Sequence, residues 1–147
     1  MDDAKRHGES TTELPSHVDA SLYFIGRIRT PWRERAECPR QGDRVNGPEC
    51  RIEVNPRWRD GLLGIEAHKE LQILYWMDQS RRDLVRQIGR GRSEPSGTFA
   101  LRSPARPNPI ASAIVTLLRV EDVTLVVKGL DCLDSTPLLD IKPNYAV

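Results

Sequence analysis

At 147 residues, with 29% charged and 38% hydrophobic side chains, the chain has the size and make-up of one globular domain with its own core. No apolar run is long enough to span a membrane. Asp2, Asp3, Lys5 and Arg6 have no hydrophobic segment behind them, so neither an anchor nor a secretory signal is expected and the cytoplasm is the expected location. A formal net charge of +1 excludes a global electrostatic field and leaves any nucleic-acid surface to a local patch.

All but four of the 22 basic residues are arginine, whose planar fork suits phosphate and base recognition; a coding bias toward arginine is the plain alternative. Cys38, Cys50 and Cys132 stand far apart with no CxxC pair, and His7, His17 and His68 are scattered. No metal site and no disulfide frame are expected, and the cysteines read as inert thiols.

Residues 1–20 are polar, with Leu14 and Val18 as their only sizeable aliphatics, and are expected to form a disordered tail ahead of a domain over 21–147. Residues 22–29 (LYFIGRIR) read as a strand that the Thr30-Pro31 step ends. A basic loop follows, with Arg33, Arg35 and Arg40, ending in Pro39-Arg40-Gln41-Gly42, where a glycine lets backbone amides come close to a ligand. Residues 50–54 alternate as a short strand, and 56–63 suit a helical turn, with Trp58 and Leu62 four apart. Residues 71–77 (LQILYWM) read as a central strand buried on both faces, with Tyr75 and Trp76 as core residues, not base-stacking platforms.

Residues 78–88 (DQSRRDLVRQI) suit a helix capped by Ser80, showing Arg81, Arg82 and Arg86 to solvent and burying Leu84, Val85 and Ile88. Residues 89–97 read as a flexible linker. Arg90 and Arg92 extend the basic run, which is either a solvated face or an RNA contact. From Gly97 to Ser112 the chain reads GTFALRSPARPNPIAS. Pro104, Pro107 and Pro109 forbid a helix and make a stiff loop that presents Arg102, Ser103, Arg106 and Asn108 between apolar runs. Residues 110–120 and 123–129 form a hairpin turning at Glu121-Asp122, and 138–141 are a last short strand. Five or six short strands with one or two short helices define a mainly β fold, a barrel or sandwich. No GxGxxG follows a first strand, and neither a P-loop nor a nucleophile elbow is present.

The proline-rich loop resembles the signature of the TsaA-like family, the TrmO-type S-adenosylmethionine-dependent tRNA methyltransferases. Three further blocks match in the same order: residues 25–42 (IGRIRTPWRERAECPRQG), 64–77 (GIEAHKELQILYWM) and 130–145 (LDCLDSTPLLDIKPNY). The resemblance covers nearly everything from Tyr23 onward, and the further C-terminal domain of longer members has no counterpart in it. It implies a small β-barrel that forms a homodimer, with S-adenosylmethionine held by Pro39, Arg40, Gln41, Asp78, Gln79, Arg102, Ser112, Leu130, Asp131, Cys132, Leu133 and Asp134. The implied acceptor is the exocyclic nitrogen of a threonylcarbamoylated adenosine beside the tRNA anticodon. Arg33, Arg35, Arg81, Arg82, Arg86, Arg106 and Asn108 are the RNA-contact candidates, and no residue stands out as a general base. A cofactor-binding module, or a small-molecule methyltransferase with no RNA substrate, is the alternative. Ala111, Asp78, Ser135 and Asn144 depart from the family pattern; Ser135 replaces a glycine in a turn and is strained there if φ is positive.

Overall fold

The computed structural model describes residues 5–145; residues 1–4 of the expected tail and 146–147 of the expected domain lie outside the described residues. The described chain forms two compact units, one from the residues up to Ser21 with Met77–Ile110, the other from Leu22–Trp76 with the chain from Ala111 on. Among the described residues the strands in chain order are β1 (Ser10–Thr11), β2 (Gly26–Arg29), β3 (Cys50–Val54), β4 (Glu70–Trp76), β5 (Leu84–Ile88), β6 (Pro95–Gly97), β7 (Ile110–Glu121), β8 (Thr124–Lys128) and β9 (Thr136–Pro143). Short 3-10 helices occupy Arg35–Glu37, Pro56–Leu62, Ile65–Ala67 and Thr98–Ala100, and among the described residues no helix is long and apolar enough to cross a membrane.

The larger unit is a closed six-stranded barrel in the order β2-β3-β8-β7-β4-β9. Strand residues alternate between inside and outside, so the inward set packs the lumen. Ile28, Ile52, Leu71, Ile73, Val115, Leu125 and Leu138 are fully buried. Opposed pairs such as Ile52 and Leu125 on β3 and β8, and Ile73 and Ile141 on β4 and β9, fix the register. The hairpin of β7 and β8 turns one residue later than expected, at Asp122 and Val123, because Glu121 still pairs with Thr124; Asp122 lies in the left-handed region at φ 58°.

Several expectations need correction. β4 is not buried on both faces: Leu71, Ile73 and Tyr75 point inside, and their neighbours are half-buried on the outer side. The fully buried run is instead Leu125, Val126 and Val127 of β8. β2 begins only at Gly26, with Leu22, Tyr23 and Phe24 exposed before it. β9 is longer than expected, because it pairs with β2 through Leu138 and with β4 out to Pro143. Ser135 sits at φ 69°, the strained conformation anticipated for a glycine replacement.

The smaller unit is a three-stranded sheet, β1-β5-β6. Here the helix expected over 78–88 is wrong. Ser80 donates its N–H to the Met77 carbonyl in a turn, and residues 84–88 are extended. The local helical pattern loses to pairing on both sides: Arg86 faces Ser10 of β1 and Gly97 of β6. Gln87 decides the matter, since its buried side-chain amide donates to Thr98 Oγ1 (2.8 Å) and the Ala105 carbonyl (2.6 Å). Residues 89–97, read as a linker, contain β6. Thr98–Ala100, in the apolar run before the proline-rich loop, is a 3-10 turn with Thr98 buried and Phe99 exposed. Within the stretch read as a tail, Arg6 reaches the Ile88 carbonyl, Glu9 accepts from the Ile88 N–H, and Thr12 donates to Asp83.

Ile52 carries no exposed surface at the centre of the barrel. Ile52→Ala should therefore destabilise the protein by about 2–5 kcal/mol, read as a lowered denaturant midpoint with the slope unchanged.

Candidate cofactor site

Residues 130–134 lie at the middle of the loop that joins β8 to β9, and the barrel holds them at nearly every position. Tyr75, on the lumen side of β4, donates its hydroxyl to Asp131 Oδ1 at 2.9 Å. The Thr30 hydroxyl donates to the Cys132 carbonyl (2.8 Å), and the Thr30 N–H donates to Asp134 Oδ1 (3.1 Å). Asp134 returns its own N–H to the Trp32 carbonyl, and the Thr136 hydroxyl bonds the Leu133 carbonyl. The chain alternates through this stretch. Leu130 and Cys132 are each 2% exposed and belong to the core, whereas Asp131, Leu133 and Asp134 remain half-buried and available. Leu130 and Cys132 can thus meet a ligand only through their backbone.

Pro39, Arg40 and Gln41 lie on an exposed loop of the same unit, just after the 3-10 turn Arg35–Glu37, which Glu34 and Glu37 cap reciprocally. Neither Arg40 nor Gln41 has a hydrogen-bond or ion-pair partner among the described residues, so both keep their donors for a ligand. Cys38 beside them is half-exposed. Burial, together with the negative charges of Asp131 and Glu37, pushes its thiol up. The two loops meet where Gly42 lies against the Gly129 backbone. Ser112 at the start of β7 already accepts from the Gln72 side-chain amide at 3.0 Å.

In the smaller unit, Asp78, Gln79 and Arg102 are exposed, and Arg102 has no ion pair among the described residues. The RNA-contact candidates there divide into two kinds. Arg81 pairs with Asp83 at 2.7 Å. Arg82 donates to the Pro107 carbonyl (2.6 Å) and Asn108 Oδ1, and Arg106 donates to the Leu101 and Ser103 carbonyls. These guanidiniums brace the proline-rich loop from within. Arg86, Arg90 and Arg92 are exposed with no ion pair among the described residues. On the barrel, Arg33 and Arg35 are likewise exposed and uncommitted at the side chain.

A cavity of about 390 Å³ opens in the barrel unit between Trp58, Leu63, Ile65, His68, Leu71 and Ile141. No residue picked from the sequence as a ligand contact lines it. Its apolar wall, with only His68 and Asp140 as ionisable groups, does not match a ligand carrying an amino-acid end and a ribose. The carboxylate and guanidinium set around residues 39–41 and 130–134 does, and on that chemistry it is the candidate site. Sequence reading missed Tyr75 and Thr30 as its supports: Tyr75 read as plain core, and the reach of its hydroxyl to Asp131 depends on barrel closure.

A closed six-stranded barrel carrying this paired-carboxylate loop stands outside the doubly wound α/β folds. The chain belongs to the family of the tRNA-methyltransferase O N-terminal domain, whose model matches residues 27–147. That family is one of S-adenosylmethionine-dependent tRNA methyltransferases. The chain is 50% identical over 142 residues, 97% of its length and 81% of the other's, to a probable S-adenosyl-L-methionine-binding protein, VirR, of Rhizobium radiobacter. It is 36% identical over 129 residues to a tRNA (adenine(37)-N6)-methyltransferase of Escherichia coli, covering 81% of this chain and 55% of that one. A crystal structure of TrmO from Pseudomonas aeruginosa superposes with a TM-score of 0.71 at 31% identity, over 87% of this chain and 57% of that one. The chain thus spans little more than half of the last two proteins.

Burial pushes the Cys50 thiol up to about 11 and the Cys132 thiol up to about 12, from an ordinary 9.0. A raised thiol pKa contributes stability that is complete below about 9, where unfolded thiols are still protonated, and is lost as the pH climbs toward the folded values. Unfolding midpoints should accordingly fall between pH 9 and 12, less steeply in Cys132→Ala. At pH 8 a maleimide should modify only Cys38 in the folded protein, with Cys50 and Cys132 reacting after denaturation.

Proposed function

We propose that this chain transfers the methyl group of S-adenosylmethionine to the exocyclic nitrogen of threonylcarbamoylated adenosine next to the anticodon of a tRNA. The observation that carries the reading is the braced loop with Asp131 and Asp134, facing the chemistry such a cofactor needs. S-adenosylmethionine supplies an electrophilic methyl group on a sulfonium. Asp131 and Asp134 accept hydrogen bonds from its ammonium and ribose hydroxyls, Arg40 and Gln41 donate to its carboxylate, and Leu133 gives apolar contact to the adenine. The bonds from Tyr75 and Thr30 fix those carboxylates beforehand, so ordering entropy is not lost when the ligand enters. The resemblance adds Asp78, Gln79 and Arg102 to the ligand contacts; an Arg102→Ala protein with undiminished affinity would remove Arg102 from the set.

The name of the Rhizobium radiobacter relative favours a second reading, a cofactor-binding module without an RNA substrate. The E. coli relative's name favours the tRNA reading, and the uncommitted Arg86, Arg90 and Arg92 supply cations for phosphate contacts. A homodimer belongs to the same reading. Leu63 is 95% exposed and Tyr23 79%, both on the barrel unit, which suits a covered surface, and sedimentation should give twice 16.7 kDa.

Calorimetry should detect S-adenosylhomocysteine binding, and Asp131→Asn should weaken it by roughly tenfold or more, as expected for a lost charged hydrogen bond. Silence at millimolar ligand would reject the cofactor. Purified protein should methylate tRNA bearing the threonylcarbamoyl group and leave unmodified tRNA untouched; equal methylation of both would reject the acceptor. Replacing Arg86, Arg90 and Arg92 with Ala should flatten the salt dependence of tRNA binding, because each phosphate contact releases condensed counterions. Arg82 is left in place there, since it braces the proline-rich loop.

A further inference from the structure

Residues 39–42 and 130–134 form the two sides of the proposed ligand site in the barrel unit, and they are held in different ways. Side-chain and backbone hydrogen bonds fix the second segment, whereas none from residues 39–42 reaches the barrel among the described residues. Local bonds only shape the ends of the first segment: Glu37 Oε1 accepts from the N–H groups of Arg33 and Glu34, and Asp43 Oδ1 accepts from those of Val45 and Asn46. What seats it is a backbone-to-backbone contact. A Cβ added at Gly42 would lie 1.8 Å from the Gly129 carbonyl oxygen and 2.4 Å from its carbon. Gly129 itself is closed in, at φ +121°, with Ile114 O 3.0 Å from where its own Cβ would be. Gly42 directly follows Gln41, and Gly129 directly precedes Leu130.

We propose that Gly42 is a positioning residue for the cofactor, its bare Cα against Gly129 setting the separation of residues 39–41 from residues 130–134. The proposal rests on the cofactor reading above. Any side chain at position 42 lifts the loop, since its Cβ must reach the 3.0 Å that carbon contacts tolerate and no flexible side chain stands in the way to yield. Arg40 and Gln41 move with it, and donors displaced by about an ångström lose much of their hold on a ligand. The core strands do not change, because Gly42 lies outside them.

The test is Gly42→Ala, with Gly61→Ala as the control, because a Cβ at Gly61 meets nothing within 4 Å. Measured are S-adenosylhomocysteine affinity by calorimetry, the alkylation rate of Cys38, and the thermal midpoint without ligand. Gly42→Ala should bind roughly tenfold or more weakly, with Cys38 alkylated faster and the midpoint close to wild type, while Gly61→Ala matches wild type in affinity and Cys38 rate. Unchanged affinity or an unchanged Cys38 rate in a folded Gly42→Ala protein would overturn the proposal. So would loss of cooperative unfolding, which would make the contact a folding requirement. Failure of the wild type to bind removes the cofactor reading and the positioning role with it, and is told apart because the Cys38 rate still responds to Gly42→Ala.

Discussion

Strand β9 hydrogen-bonds to β2 on one side and to β4 on the other, and the barrel closes through it. Everything proposed for the site depends on that double pairing. Because Tyr75 of β4 stands opposite Leu138 of β9, its hydroxyl arrives beside the loop that leads into β9. Because Ile28 of β2 stands opposite Thr136, the strand's exit at Thr30 meets Cys132 and Asp134. A one-residue slip of β9 would turn Leu138 outward and part both contacts at once. Barrel stability and the posture of two carboxylates are thus one property.

The arginines divide by the company they keep. Across the outer barrel wall Arg29 meets Glu53, Arg51 meets Glu121, and Arg119 bridges Glu49 and Glu121. These exposed pairs contribute little to stability each, but they neutralise charge that would otherwise attract any polyanion indiscriminately. Arg82 and Arg106 serve the proline-rich loop, and Arg81 pairs with Asp83. Arg6, Arg44 and Arg59 are also ion-paired. That leaves arginines such as Arg33, Arg35, Arg86, Arg90 and Arg92, without an ion pair among the described residues, open to a phosphate backbone; near-zero net charge therefore does not contradict an RNA substrate.

Much of the barrel was legible in the sequence: the alternation of residues 50–54 and the β-branched run of β8 lie where the local pattern puts them, and the hairpin turn falls one residue beyond it. The misreadings share a cause. Residues 84–88 carry helix-compatible spacing, and only the partners β1 and β6, distant in sequence, make them extended. β4 looked buried on both faces because large side chains occupy both, and closure of a barrel is not a local signal. In the site, Asp131 and Asp134 could be named from the resemblance. Nothing local could have said that Leu130 and Cys132 turn inward on either side of Asp131, nor that Thr30 and Tyr75, 104 and 56 residues away in sequence, would brace the carboxylates.

The edges of the two sheets carry a consequence for association. A closed barrel offers no unpaired strand, so no second chain can extend it by main-chain pairing. The open sheet does have edges, but β1 is two residues long and β6 three, and Pro95 deprives β6 of one donor. Neither gives an incoming strand enough backbone to template on. Concentrated solutions of this protein are therefore protected against cross-β growth from the native state, and any assembly it forms must be read in its side chains.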